Sequence, residues 1–438
     1  MKKTRLALAI ATTAMASTPV LATNGDNLIG LGAQSRALGG TGTAAFFGSE
    51  NALTNPALLG KSQGTEFAIG GTLFKPNVKA TTNVADMTGQ GTYFSQTSDN
   101  DSNIIPEVSL STRINENWAF GLGIFGSAGM GVDYRDNAGY DTQDASPGVN
   151  GNGSVLFNGY SNLQLMKFAP SISYNSDKFG IGFAPVIQYG ALDINYKQFD
   201  SNPTSPTFGN VLNRGNGMSS DIGYGYNLGG YFNITSDLTI ALAYQSAIDM
   251  KYKDQISVAS EGFVNPASDF KEAFGDHLEQ PAEIKAGVAY TMGSFMLTAD
   301  AKQIKWGDAK GYKDFNWKDQ NVFGVGAKYS GNRFWAGIGY NYGEDPIDKL
   351  DGSTSYKAQV TNMFNNHFFP GIVESHFTFG GGYSLTKNLS LDGAVVYAPQ
   401  VKKTVDTGFL SGSTNPSATT HEVKHSQMGY TLSLRMNF

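Results

Sequence analysis

Apolar and polar residues alternate up to the last position of the chain: Tyr430, Leu432, Leu434, Met436 and Phe438 are interleaved with Thr431, Ser433, Arg435 and Asn437. A period of two places one set on each face of a β-strand. The pattern recurs upstream, in Leu238, Ile240, Leu242 and Tyr244 against Thr239, Ala241, Ala243 and Gln245. It returns in Leu389, Leu391, Gly393, Val395 and Tyr397 against Ser390, Asp392, Ala394, Val396 and Ala398. Runs of this kind, bounded by turn residues, predict strands over 66–79, 104–114, 118–133, 160–175, 178–198, 217–234 and 237–252. Further strands are predicted over 282–291, 294–305, 320–330, 333–342, 374–384, 388–402 and 424–438.

The connections sort by length. Short turns at Asn115-Glu116-Asn117, Asn175-Ser176-Asp177, Thr235-Ser236, Met292-Gly293, Gly331-Asn332 and Thr386-Lys387-Asn388 alternate with long loops. A transmembrane β-barrel has an even strand count, short turns at its periplasmic end and longer loops outside. The expected fold is therefore an all-β, fourteen-stranded antiparallel outer-membrane barrel over 66–438, with both termini periplasmic. A soluble sheet strand can alternate in the same way, but a soluble sandwich has no reason to sort its loops by length.

The segment 23–65 does not alternate and is rich in small residues, as in Ala37-Leu38-Gly39-Gly40-Thr41-Gly42. A barrel this wide is not filled by wall side chains, so the segment is expected to form a plug, or hatch, in the lumen. A loose periplasmic tail is the competing placement. Residues 1–22 read as a signal peptide: Lys2, Lys3 and Arg5, then an apolar stretch from Leu6 to Met15, then small residues ending at Ala22. That stretch is shorter than the roughly 20 residues of a membrane-spanning helix.

Composition agrees with this reading. The chain has 54 Gly, 28 Phe and 21 Tyr, which suit tight turns and aromatic girdles. Its mean hydropathy of -0.25 is that of a soluble protein, as expected when lipid-facing and lumen-facing residues cancel. With no Cys there is neither a disulfide framework nor a thiolate metal site, and a net charge of -6 argues against nucleic acid as a partner. No cofactor or metal motif stands out; Asp99-Asn100-Asp101 lacks the later ligands of a calcium loop. No catalytic group is assigned. Of the five histidines His277, His367, His421 and His425 fall in loops or beside the ends of predicted strands; His376 lies inside one, and its neighbour Ser375 points to the opposite face.

The mature chain resembles the FadL/TodX family of outer-membrane transporters of long-chain fatty acids and aromatic hydrocarbons. The resemblance rests on Asn55-Pro56-Ala57 before the first strand, preceded by Ser35-Arg36-Ala37-Leu38-Gly39-Gly40. Softer stretches follow in order: Ile105-Pro106-Glu107-Val108-Ser109, Phe120-Gly121-Leu122-Gly123, Tyr224-Gly225-Tyr226-Asn227-Leu228-Gly229, Leu242-Ala243-Tyr244-Gln245-Ser246, Gln280-Pro281-Ala282 and the Trp306 segment. The resemblance implies a hatch carrying Asn55, Pro56 and Ala57, and uptake of hydrophobic small molecules, with fatty acids preferred over aromatic hydrocarbons. It further implies lateral release through a kink in the third strand, where Gly126 and Gly129 are the candidate wall opening among Gly121, Gly123 and Gly131. Outer-membrane lipid, lipopolysaccharide and the barrel assembly machinery are the other expected partners.

Capture of a poorly soluble substrate calls for exposed apolar loops, and Phe263, Val264, Phe270, Ala273, Phe274, Met363, Phe364, Phe368 and Phe369 are candidates, with packing of loop on loop as the competing reading. A fatty-acid carboxylate calls for a lumen cation, for which Arg36, Lys167, Lys302, Lys305 and Arg435 are available unless they pair with acids such as Asp300 or Asp392. The binding residues are not legible. An open general porin, a surface adhesin or phage receptor, and a wall-mounted hydrolase are the alternatives from other classes.

Overall fold

Fourteen long antiparallel strands close on themselves in a computed structural model that describes residues 23–85, 91–135, 158–199 and 204–438. The expected signal peptide, 1–22, lies outside these residues. The strands are β1 Thr65–Ala85, β2 Asn103–Arg113, β3 Trp118–Asp133, β4 Tyr160–Asn175, β5 Phe179–Phe199, β6 Ser219–Asn233 and β7 Leu238–Gln245. They continue as β8 Glu283–Met292, β9 Phe295–Ile304, β10 Gln320–Ser330, β11 Phe334–Gly343, β12 Ser375–Ser384, β13 Leu389–Asp406 and β14 Thr420–Asn437. Each pairs with its neighbour in sequence, and β14 pairs with β1 from Asn437↔Glu66 to Thr420↔Asn83, so the sheet has no free edge.

The alternation sets the faces. On β14, Tyr430 and Leu432 are exposed while Thr431, Ser433 and Arg435 are buried; on β7, Ile240 and Leu242 point out while Thr239, Ala241 and Ala243 point in. The strands Trp118, Phe179, Phe295 and Phe334 begin carry exposed rings at the short-turn end, and exposed Tyr224, Phe377 and Tyr397 stand higher on the wall. Together they bracket an apolar band.

Several strands depart from the sequence expectation. β1, β13 and β14 run on past the apolar alternation, to Ala85, Asp406 and from Thr420, because ladder hydrogen bonds need no apolar side chain. A further strand, Gly91–Thr97, pairs with the end of β1, and Val211–Arg214 pairs with the end of β5. The strand expected over 237–252 stops at Gln245: beyond it the chain crosses the inner side of β6, where Gly223 and Gly225 leave room for Ile248 and Met250.

Residues 23–64 form the plug. They carry two short paired segments, Thr23–Asn24 and Asn27–Leu28, then α1 Gly32–Ala37, α2 Asn51–Thr54 and a 3-10 turn Pro56–Lys61. No residue from Thr23 to Ser62 is exposed. The long loops at the opposite end carry α3 Ile256–Glu261 and α4 Tyr356–Phe368. The Ser355 hydroxyl caps α4 by accepting from the Ala358 N–H at 2.9 Å. Eleven residues of α4, from Ala358 to Phe368, are buried, so loop packing and not an amphipathic stripe holds the helix.

Candidate functional site

The hatch is fixed to the wall by backbone groups. Asn55 caps the 3-10 turn, its Oδ1 accepting from the Ala57 N–H at 3.1 Å, and Pro56 occupies the first turn position, where a missing N–H costs nothing. The Asn55 amide donates to the Thr43 carbonyl at 2.7 Å, and Asn175 of β4 donates to the Ala57 carbonyl at 2.7 Å. Asn227 of β6 reaches the Leu53 carbonyl. Asn55, Pro56 and Ala57 therefore lie together against β4, β5 and β6. The wall beneath them is glycine: a Cβ on Gly182 would strike the backbone of Pro56 and Ala57, and one on Gly229 the Asn55 amide and Pro56. The same device recurs at Leu38 and Gly39, seated against Gly324, Gly326 and Gly339 of β10 and β11.

Charges complete the attachment. Arg36 pairs with Glu107 of β2 at 2.5 Å and reaches Thr431. Arg435 of β14 lies among three acids, Glu50 at 3.0 Å, Glu66 at 2.9 Å and Asp392 at 3.4 Å. Burial pushes the Glu50 carboxyl up, with Arg435 opposing that shift. Asp300 of β9 accepts from the N–H groups of Gly42 and Thr43, both at 2.9 Å. Asp26 accepts from Gln280 at 3.0 Å and from the Tyr312 hydroxyl; burial lifts its carboxyl to about 6, against the lowering effect of these bonds.

The third strand is irregular. β2 and β3 pair from Arg113↔Ala119 only to Glu107↔Phe125, next to Pro106, which has no N–H to give. One residue further, the register of β3 against β4 shifts between Gly126 and Ala128, a β-bulge. Above it β3 turns to the hatch: Ala128 bridges to Asn27, and the Gly129 N–H donates to the Asp26 carbonyl at 3.1 Å. A Cβ on Gly126 would come within 2.7 Å of Ile105 and 3.5 Å of Pro106. Gly126 and Gly129 thus flank the bulge. Gly121, by contrast, faces Leu59 of the hatch, and Gly131 the backbone of β4.

A small cavity of about 70 Å³ lies between hatch and wall. Leu28, Ile29, Leu31, Leu53 and Val322 line it, together with Lys167, Lys285, Lys302, Glu283 and Asp300. Lys285 pairs with Glu283 at 2.9 Å, whereas among the described residues Lys167 and Lys302 hold no direct ion pair. The sequence candidates thus separate. Lys167 and Lys302 face one cavity, Arg36 and Arg435 anchor the hatch, and Lys305 leaves the strand to pair with Asp308 at 3.6 Å and with Asp319. Glu283 and Lys285 were not singled out from sequence, although both sit two apart on the inward side of one strand.

The loop aromatics are not exposed. Phe263, Phe270, Phe274, Met363, Phe364, Phe368 and Phe369 form one buried cluster, with Phe364 stacked on Phe315 at 5.1 Å between ring centroids and Val264 packed at its edge. The expectation of apolar capture surface from these residues is thereby corrected: composition places aromatics in a loop, but only the fold shows that they pack loop against loop. Among the described residues the histidines do not converge on a nucleophile. His367 meets His421 at 3.1 Å, His425 contacts the Pro370 carbonyl, His277 pairs with Asp249, and His376 is buried within β12. Among the described residues no group of three metal-ligating side chains gathers.

Residues 7–438 match the family described as outer membrane protein transport protein (OMPP1/FadL/TodX). Among solved structures, the toluene transporter TbuX of Ralstonia pickettii superposes with a TM-score of 0.64 at 19% identity, covering 94% of this chain and 99% of that one. The toluene transporter TodX of Pseudomonas putida gives 0.66 at 17% identity, over 95% and 100%. A FadL homologue of Pseudomonas aeruginosa gives 0.65 at 15%, over 94% and 100%. A curated relative, an uncharacterized protein encoded upstream of a phosphoenolpyruvate carboxykinase gene in Chlorobium limicola, is 54% identical over 44 residues; the match spans 10% of this chain and 22% of that protein. Family match over the whole barrel and the closed fourteen-stranded fold together make the chain a member of the OMPP1/FadL/TodX family of outer-membrane transport proteins.

Proposed function

We propose that the protein takes hydrophobic compounds through the outer membrane and that long-chain fatty acids are the preferred class. One observation carries the preference: the cavity between hatch and wall joins apolar side chains to Lys167 and Lys302, two inward cations that make no direct ion pair among the described residues. A carboxylate desolvated on entering such a cavity needs a cation there, whereas a hydrocarbon gains nothing from it. In the same reading the hatch motif Asn55-Pro56-Ala57 holds the plug shut, and substrate leaves sideways at Gly126 and Gly129. At 15–19% identity the solved relatives share the fold and leave the substrate open.

The test compares uptake of labelled oleate and toluene by cells carrying the wild type or Lys167→Met/Lys302→Met, with barrel insertion checked by heat-modifiable migration. Selective loss of oleate uptake supports the fatty-acid reading. Equal uptake of oleate by both proteins removes it, and toluene uptake alone turns the assignment to aromatic hydrocarbons. Deletion of residues 24–60 with conductance in planar bilayers distinguishes a plugged channel from a porin. An intact protein that already conducts freely, unchanged by the deletion, overturns the plugged-channel reading.

A further inference from the structure

Three lysines on neighbouring strands stand in direct register on the outside of the barrel. Lys402 of β13 is opposite Lys424 of β14, and Lys424 is opposite Lys79 of β1. Strands lie about 4.8 Å apart, so three cations occupy a row only about 10 Å long. Like charges directly opposite one another destabilise a sheet. Among the described residues the acid that answers them is Glu422, at 3.2 Å from Lys402 and 3.3 Å from Lys424. Among the described strand pairs the other register of lysine on lysine is Lys285↔Lys302, which lines the lumen cavity; the row on β13, β14 and β1 faces outward instead.

Its height on the barrel says what it faces. Lys424 lies 13 residues above Asn437 at the short-turn end. At roughly 3.3 Å per residue and a tilt of about 40°, that is about 33 Å along the membrane normal. The apolar band of such barrels is about 25 Å tall, and here Phe334 and Phe295 mark its lower edge and Tyr397 its upper part. The lysine row therefore stands about 8 Å above the hydrocarbon, at the level of lipid headgroups. Immediately below it, a hollow of about 340 Å³ is lined by Lys75, Tyr397, Met428 and Tyr430, and by Asp101. Lys75 is opposite Met428, four residues down β1 from Lys79.

We propose that Lys79, Lys402 and Lys424, with Lys75 below, bind the phosphate groups of an outer-leaflet glycolipid, whose acyl chains lie along the apolar band beneath. The row supplies the charge, and the hollow supplies an amphipathic seat of rings and one cation. Among the described residues Glu422 offsets one of the three lysine charges, and a diphosphorylated lipid supplies anions for the other two. This inference stands apart from the choice of transported substrate.

The experiment uses the purified full-length protein in detergent and follows binding of diphosphorylated lipid A by native mass spectrometry. The wild type is expected to retain the lipid, and Lys79→Gln/Lys402→Gln/Lys424→Gln to bind it at least tenfold more weakly. Dephosphorylated lipid A is expected to bind the wild type as weakly. Glu422→Gln removes the competing anion and should tighten binding, a gain that a merely damaged barrel does not give. Unchanged affinity in the triple variant, equal binding of dephosphorylated lipid A, or weaker binding by Glu422→Gln overturns the proposal. Inorganic phosphate competing at millimolar concentration as well as the lipid does would reduce the site to a general anion patch and likewise overturn it.

Discussion

Gly182 and Gly229 stand directly opposite one another on β5 and β6, and the Asn55-Pro56-Ala57 backbone rests on the pair. A glycine in a strand usually weakens it; here two of them form a dimple without which the tripeptide has no seat. Gly182→Leu or Gly229→Leu is expected to unseat this part of the hatch at a cost of about 1–3 kcal/mol, typical of overpacking. The barrel itself should persist, because outward packing and ladder bonds are untouched. Larger single-channel currents with unchanged heat-modifiable migration would show this; currents identical to wild type would mean that the hatch accommodates the side chain.

Arg435 is the most consequential single charge at the hatch. Its removal leaves Glu50, Glu66 and Asp392 buried together without the cation that pairs with all three, and breaking a buried network costs about 3–5 kcal/mol. Arg435→Met should lower the thermal transition of the hatch, and the triple change with Glu50→Gln and Glu66→Gln should recover much of the loss. If the single variant melts like the wild type, the network is not holding the hatch.

Asp26 makes the attachment of the N-terminal hairpin depend on pH. Its carboxyl titrates near 6 in the folded protein and near 3.8 ordinarily, because burial outweighs the bonds from Tyr312 and Gln280 and the nearby Lys167. The folded state keeps a proton that the released segment loses, so the attachment is strongest below about pH 4 and weakens as pH rises through 6, by about 3 kcal/mol in all. A spin label at Thr23→Cys should be more mobile at pH 7.5 than at pH 4.5, and Asp26→Asn should flatten the difference. Greater mobility at the lower pH would refute the assignment.

The barrel was legible because its evidence is local. Alternation at Tyr430–Phe438 and the short turns need only neighbouring residues to be read, and the same holds for Asn55-Pro56, whose cap is made within three residues. What stayed hidden depends on distant partners. Glu50, Glu66 and Glu107 look like surface acids until Arg435 and Arg36 are placed beside them. The helix α4 carries Asn362, Asn365 and Asn366, poor helix formers, and it exists because loop residues accept and donate around it, as Trp317 does to Asn365 at 3.0 Å. Gly182 and Gly229 carry no side chain whose pattern could be read, and only the fold shows them as the floor of the hatch.

Phe364 is the centre of the loop cluster, within 6.4 Å of the Phe274, Phe315, Phe368 and Phe369 rings. Phe364→Ala should cost about 3–5 kcal/mol of local packing and loosen α4 without touching the barrel. Trypsin cleavage at Lys357 is expected to rise steeply in intact, membrane-inserted protein. Resistance equal to wild type would show that the polar bonds of α4 hold it alone.

The bulge at Gly126 gives the sharpest test of sideways release, because the neighbouring strand there is fixed by Pro106. A leucine at 126 has its Cβ 2.7 Å from Ile105, so it either fills the space between β2 and β3 or pushes the strands apart. At 129 the N–H bond to Asp26 survives substitution, since any residue supplies that donor, but the added side chain must find room beside the hatch. Gly126→Leu and Gly129→Leu together are therefore expected to lower uptake at least tenfold while leaving hatch conductance and barrel migration as in the wild type. Uptake of the preferred substrate at the wild-type rate, through a correctly inserted double variant, would place the exit elsewhere and leave the bulge as a seat for the Asp26–Asn27 hairpin alone.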